Sequence, residues 1–194
     1  MLKLTKREVG EALALCRKAS QDLKSLDVTI EENVDVRDEK SLERVKQQHS
    51  DKQFDLLINN AGIYLRMTLE NIDFNAIQEQ FEVNTLAPLK TSLAFLPLLK
   101  KGGKIAMISS RAGSIGDLAS GGQYGYRPSK AALNMVSAIL AKDLKEQEIA
   151  VAVLHPGYVK TDMTSGKGDL TVEESVAGLV QRIDELTLET SGTF

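Results

Sequence analysis

The sequence predicts an α/β fold, a doubly wound parallel sheet in a three-layer αβα arrangement. Three observations carry this. Short apolar runs alternate with helix-like segments along the whole chain, as in successive βαβ units. The run 149–154 is almost wholly apolar, as a strand covered on both faces should be. Small and amide-bearing residues follow the runs 54–58, 104–109 and 149–154 directly, where open parallel sheets keep their ligand crevice. No internal repeat, linker or low-complexity tract interrupts the pattern, so residues 1–194 are expected to form a single domain.

The elements follow in order. Residues 12–16 form a first strand, ending at Arg17 and Lys18. Residues 28–36 hold the next, with Asp35 and Val36 at its end. Asp38 is placed to cap a charged helix over 39–49, because its carboxylate can accept from a free N–H of the first turn. Residues 54–58 are a strand running into Asn59-Asn60-Ala61-Gly62. Residues 74–99 read as one long helix, with Pro88 near its middle marking a kink or a second start, since proline has no N–H to give. Residues 104–109 are a strand and 110–123 a Gly/Ser-rich loop. In the helix over 126–147, Ala132, Met135, Val136, Ile139 and Leu140 follow a 3.6 period. The strand 149–154 ends at Pro156-Gly157, and 172–183 is the last helix.

Composition narrows the function. With 24 Lys+Arg against 27 Asp+Glu the net charge is -3, which argues against nucleic acid as a partner. Cys16 is the one cysteine, so no internal disulfide or Cys-based zinc site is possible. His49 and His155 are the two histidines, so a metal centre would rest on carboxylates, and none is expected. Residues 1–11 lack the apolar core of a signal peptide, and no apolar run approaches a membrane span. The expectation is a soluble, cytoplasmic chain with no membrane partner.

The sharpest candidate chemistry is Tyr126 with Lys130. Spaced i, i+4 on one helix, they share a face. A phenol with a pKa near ~10 is a poor base at neutral pH. A nearby ammonium stabilises its phenolate by roughly 3–4 kcal/mol, about 2–3 pKa units. The tyrosine then becomes a usable proton donor or acceptor. Ser110, on the loop ahead of the helix, can bond the same substrate oxygen. A Ser110–His155 hydrolase is disfavoured, because no Gly-x-Ser-x-Gly elbow is present.

Taken in order, Asn59-Asn60-Ala61-Gly62, Asn84, Ile108-Ser109-Ser110, Tyr126-x-x-x-Lys130 and Pro156-Gly157-Tyr158-Val159-Lys160-Thr161 closely resemble the short-chain dehydrogenase/reductase family. The long loop from Ser110 to Tyr126 is similar to that of the carbonyl-reductase and C-factor-like branch. The resemblance implies a Rossmann-like fold and hydride transfer between a nicotinamide dinucleotide and a small-molecule carbonyl or alcohol. It implies Tyr126 as general acid/base, Lys130 lowering its pKa and holding the nicotinamide ribose, and Ser110 polarising the carbonyl. Asn84 would hold a water linking Lys130 to solvent. Asn59, Ala61 and Gly62 would line the adenosine side, Asp35 and Val36 would meet the adenine, and Pro156, Gly157 and Thr161 would close over the nicotinamide and pyrophosphate. Arg17, beside Lys18 and with no carboxylate next to it, favours NADP(H) over NAD(H). The family's pairing of long helices implies a homo-oligomer, a dimer or tetramer, through the segments 74–99 and 126–147. The short polar segment 162–169 points to an open pocket with a small or broadly chosen substrate.

The chain departs from the family at one place. The Gly-x-x-x-Gly-x-Gly turn that presents backbone N–H groups to a pyrophosphate is not found, and Gly10 stands alone. Residues 2–11 read as the tail of a first helix leading straight into the strand at 12. The family strand so lost belongs mid-sheet, between the strands 12–16 and 54–58, leaving two inner edges for which residues 1–4 are the one available substitute. Weak cofactor affinity is the expected result. A second reading follows, a cofactor-binding-impaired protein serving as a non-enzymatic signalling or dimerisation module.

Overall fold

A computed structural model describes residues 10–194. The readings for residues 1–9, a helix tail and a substitute strand, lie outside the described residues. The elements are β1 (Leu13–Leu15), α1 (Gln21–Lys24), β2 (Thr29–Glu31), α2 (Glu39–Gln48), β3 (Phe54–Asn59), α3 (Phe74–Phe81), a π-helical turn (Glu82–Leu86), α4 (Ala87–Phe95), β4 (Leu99–Ile108), α5 (Tyr126–Asp143), β5 (Ala150–Leu154) and α6 (Val172–Asp184). All strand pairings are parallel, with helices on both faces.

The described strands form two sheets, β1–β2 and β3–β4–β5. The sequence places the lost family strand between β1 and β3, and residues 1–4, its expected substitute, lie outside the described residues. The two described sheets share an apolar cluster. Leu13 and Leu15 of β1 and Phe54 and Leu57 of β3 pack around Val34, Leu42, Val45, Phe95 and Leu98.

In the larger sheet the period-2 alternation sorts the core. Ile105 and Met107 of β4 face Leu133 and Leu140 of α5, whereas Ala106 and Ile108 face Leu179 and Ile183 of α6. Each fully buried side chain of that size contributes roughly 1.5–3 kcal/mol. All five residues of β5 are buried, in keeping with its apolar sequence. The last helix starts on a capping box, Thr171 with Glu174, and the Asp38 cap of α2 forms as expected.

Several boundaries differ from the sequence reading. β2 stops at Glu31 because Asn33 takes φ 59°, a left-handed conformation that no strand continues through. β4 begins at Leu99 rather than 104, crossing an irregularity at Gly102, φ 80°. The helix expected over 126–147 ends at Asp143 and is followed by a 3-10 turn (Lys145–Gln147). The long helix over 74–99 is a run of α, π, α and 3-10 pieces. Pro88 explains the break, since it cannot return an N–H to the Asn84 carbonyl four residues earlier.

Candidate active site

The carboxyl ends of β3, β4 and β5 open onto a cleft of about 1430 Å³. Gly62, Ser110, Tyr126, Lys130, Pro156, Gly157 and Thr161 all line it. Three segments separated in sequence therefore meet at one place because the strands that carry them run parallel.

Ser110 follows β4 directly and caps the turn Arg111–Gly113, its Oγ accepting from the Ala112 N–H at 3.1 Å. That fixes the hydroxyl where it also bonds the Tyr126 hydroxyl. Tyr126 opens α5, and the Tyr64 ring meets its ring edge-on at 5.2 Å. Burial pushes the Tyr126 phenol up, the Ser110 hydrogen bond pulls it down, and Tyr64 adds a further push up. The downward pull expected from Lys130 is not among these causes, and the net shift is upward, so the phenol keeps its proton at neutral pH.

Lys130 is 4% exposed, with Nζ 6.0 Å from the Tyr126 ring centroid and donating to the Ile108 carbonyl at 2.8 Å. Burial drops its pKa from 10.5 to about 8. The unfolded chain thus binds more protons than the folded one between about 8 and 10.5, and stability from this group rises with pH across that window. Below it the burial cost is complete, roughly 3 kcal/mol. Urea unfolding of wild type and Lys130→Met should show wild type gaining about 3 kcal/mol relative to the variant from pH ~7.5 to ~10.5. A difference that stays flat or falls would contradict this account of the lysine.

Asn84 sits in the π-turn and is fully buried. Its Oδ1 accepts from the Ile63 N–H at 2.8 Å, and its Nδ2 donates to the Ile63 carbonyl and the Ser129 hydroxyl, both at 3.0 Å. The side chain is a clip joining the Gly62 loop to α5. A Cβ at Gly62 would stand 3.4 Å from Asn84 Oδ1 and 3.7 Å from Lys130 Nζ, so the bare glycine brings the loop against both.

The remaining candidates fall elsewhere. Asn59 points into the core, donating to Ser92 Oγ at 3.0 Å and to Met107 Sδ. Ala61 is exposed, and neither it nor Asn59 lines the cleft. Arg17, Asp35 and Val36 cluster at the ends of β1 and β2, away from the cleft wall. Asp35 holds Arg37 in a two-pronged ion pair, closest approach 2.7 Å, and that hydrogen-bonded partner drops its carboxyl to about 2. Glu32 is engaged by the Ala19 N–H at 2.6 Å.

Two contacts were invisible in the sequence pattern. Tyr64 is one. The other is Gln80, fully buried, accepting from the Leu65 N–H at 3.0 Å and pressed against Gly125, the residue before Tyr126. A Cβ at Gly125 would come within 2.1 Å of Gln80 Nε2. The available signal was the spacing of Ile77, Gln80 and Asn84 on one helix face, together with a glycine just ahead of Tyr126.

A parallel-sheet cleft beyond the strand ends, lined by a serine, a half-buried tyrosine and a buried lysine one turn on, defines a nucleotide-dependent oxidoreductase architecture. A family model described as short chain dehydrogenase matches residues 2–173, and the chain belongs to that family. It is 40% identical over 190 residues to 1-hydroxy-2-glutathionyl-2-methyl-3-butene dehydrogenase of a Rhodococcus species, covering 95% of this chain and 84% of the relative. It is 41% identical over 143 residues to C-signal of Myxococcus xanthus, covering 72% of this chain and 86% of the relative. Among solved structures, NADPH-bound carbonyl reductase from chicken fatty liver superposes with a TM-score of 0.85 at 36% identity, covering 94% of this chain and 83% of that one. Among the described residues no helix is long and apolar enough to cross a membrane, and no group of three or more His, Cys, Asp or Glu could hold a metal.

Proposed function

We propose that the chain interconverts a small carbonyl compound and its alcohol with NADP(H). The observation that carries this is the meeting of Ser110, the half-buried Tyr126 and the buried Lys130 on one cleft beyond the strand ends, with Lys130 Nζ 6.0 Å from the Tyr126 ring centroid. The nicotinamide supplies or takes the hydride when bound. Ser110 donates to the carbonyl oxygen and orients it. Tyr126 gives that oxygen its proton in reduction and takes it back in oxidation. Lys130 holds the nicotinamide ribose from the floor of the cleft, and its charge steadies the phenolate left after proton transfer. Asn84 would hold the water that returns a proton through Lys130. Gly62, Pro156, Gly157 and Thr161 line the cofactor's side of the cleft.

Charge supports NADP(H) over NAD(H). Asp35 is ion-paired with Arg37, so its charge is answered chiefly there and only weakly by Arg17. Isothermal titration should give NADPH a Kd roughly tenfold or more below that of NADH, as one charge-assisted phosphate contact allows. Arg17→Ala should bring the two together. The chicken relative is NADPH-bound by its own description.

The alternative reading is a non-enzymatic signalling or dimerisation module. The lack of a Gly-x-x-x-Gly-x-Gly turn in the sequence favours it, and the Myxococcus relative is named for a signal. No binding of either nucleotide at millimolar concentration would select it.

The site's helices also fit a homo-oligomer. Leu86, Leu93, Met135 and Ile139 leave 40%, 55%, 64% and 50% of their surface exposed on the segments expected to pair. Sedimentation should find dimer or larger at micromolar concentration, and a monomer throughout would remove that assignment.

A further inference from the structure

We propose that the substrate carries a carboxylate, held by Arg66 and Arg127 on the cleft wall. This deepens the oxidoreductase reading above and rests on it.

Away from the cleft, Arg37, Arg44 and Arg182 each hold a carboxylate within 3.4 Å. Arg66, Arg111 and Arg127 line the cleft, and among the described residues none of them is paired with an acid. The cleft's own carboxylates, Asp117 and Asp169, do not reach them. In a chain whose net charge is -3, unpaired guanidiniums thus collect on one concave surface.

Arg127 is the most telling. Its Nη2 donates to the Ser120 hydroxyl at 3.3 Å, but its Nε is buried with no acceptor. That N–H is too shielded for a ligand to reach, so a carboxylate in the cleft would be met by the outer guanidinium nitrogens, through the charge-assisted bonds they favour. Both arginines line the cleft that Tyr126 also lines. Arg127 follows Tyr126 on α5. Arg66 stands two residues past Tyr64, whose ring packs on Tyr126. The Gln123 N–H donates to the Met67 carbonyl at 2.8 Å, tying the two segments together. The first turn of α5 has no acidic residue and its cap offers no side-chain acceptor, so the positive helix start adds to the same field.

The test compares 4-carboxybenzaldehyde with its methyl ester, each reduced with saturating NADPH by the full chain. The acid should have a kcat/KM about tenfold or more above the ester's, through a lower KM, and high salt should shrink the gap. Arg66→Gln, an exposed loop substitution, should lower the acid-to-ester ratio severalfold, and the double variant with Arg127→Gln should bring it near one. Equal use of the two aldehydes overturns the anion site and leaves the oxidoreductase reading standing. So does a preference that survives both substitutions, or a rise in the KM for NADPH in place of that for the acid. Failure to reduce either aldehyde overturns the oxidoreductase reading and this inference with it.

Discussion

Tyr126→Phe should lower kcat by about a thousandfold or more, while the Kd for NADPH changes less than about threefold. The substitution removes one oxygen and nothing else. The ring keeps its edge-on contact with Tyr64 at 5.2 Å, so the packing at the start of α5 is retained. Ser110 loses one hydrogen-bond partner, a cost of about 1 kcal/mol. Losing the proton transfer costs more, about 4 kcal/mol of barrier. Steady-state kinetics with a thermal melt separates the two. A variant that keeps more than a tenth of wild-type kcat would show that another group moves the proton.

Gly113→Ala should be the most damaging change outside the reacting groups. A Cβ there would meet the Lys130 carbonyl carbon at 2.6 Å, the Ala131 nitrogen at 2.7 Å and the Lys130 oxygen at 2.9 Å. All three are backbone atoms inside α5 and cannot swing aside. The turn Arg111–Gly113 must lift off the helix instead. Ser110 is fastened to that turn, its carbonyl taking the Gly113 N–H at 2.9 Å, so its hydroxyl moves away from Tyr126. Overpacking of this kind costs about 1–3 kcal/mol, or a melting temperature lower by roughly 2–10 °C for a domain of this size. A misplacement near 1 Å can cost about a hundredfold in rate, so kcat should fall much further than the melt implies. Gly178→Ala is the control. It is exposed on α6 with nothing within 4 Å of the added Cβ, and helix propensity alone should stabilise it by up to about 1 kcal/mol. Equal behaviour of the two variants would show that the turn has room to adjust.

The sequence made parts of this site legible and hid others, for physical reasons. The strands 54–58 and 149–154 are readable because burial on both faces demands continuous apolar residues. Tyr126 and Lys130 are readable because helix geometry fixes the meaning of an i, i+4 spacing. Asn59 misleads. Its place after a strand suggests a ligand contact, but its side chain turns into the core to Ser92, and strand parity at one residue decides which way it faces. The break in the long helix is anticipated at Pro88, but not the π-turn that buries Asn84. Gln80 is hidden because a glutamine on a helix usually faces water, and only the tertiary approach of Gly125 gives it a role. The packing of β1 and β3 onto one cluster around Leu42 and Phe95 is hidden too, because it depends on tertiary approach that no local pattern encodes.

That shared cluster has a consequence for ligand reach. Leu13 and Leu15 of β1 and Phe54 and Leu57 of β3 close around the same apolar residues, which sets the row of strand ends side by side. Arg17 and Asp35 stand at one end of that row, whereas Tyr126 and Lys130 stand at the other. A nucleotide long enough to touch both would span the row, so its two halves would report on different parts of the molecule.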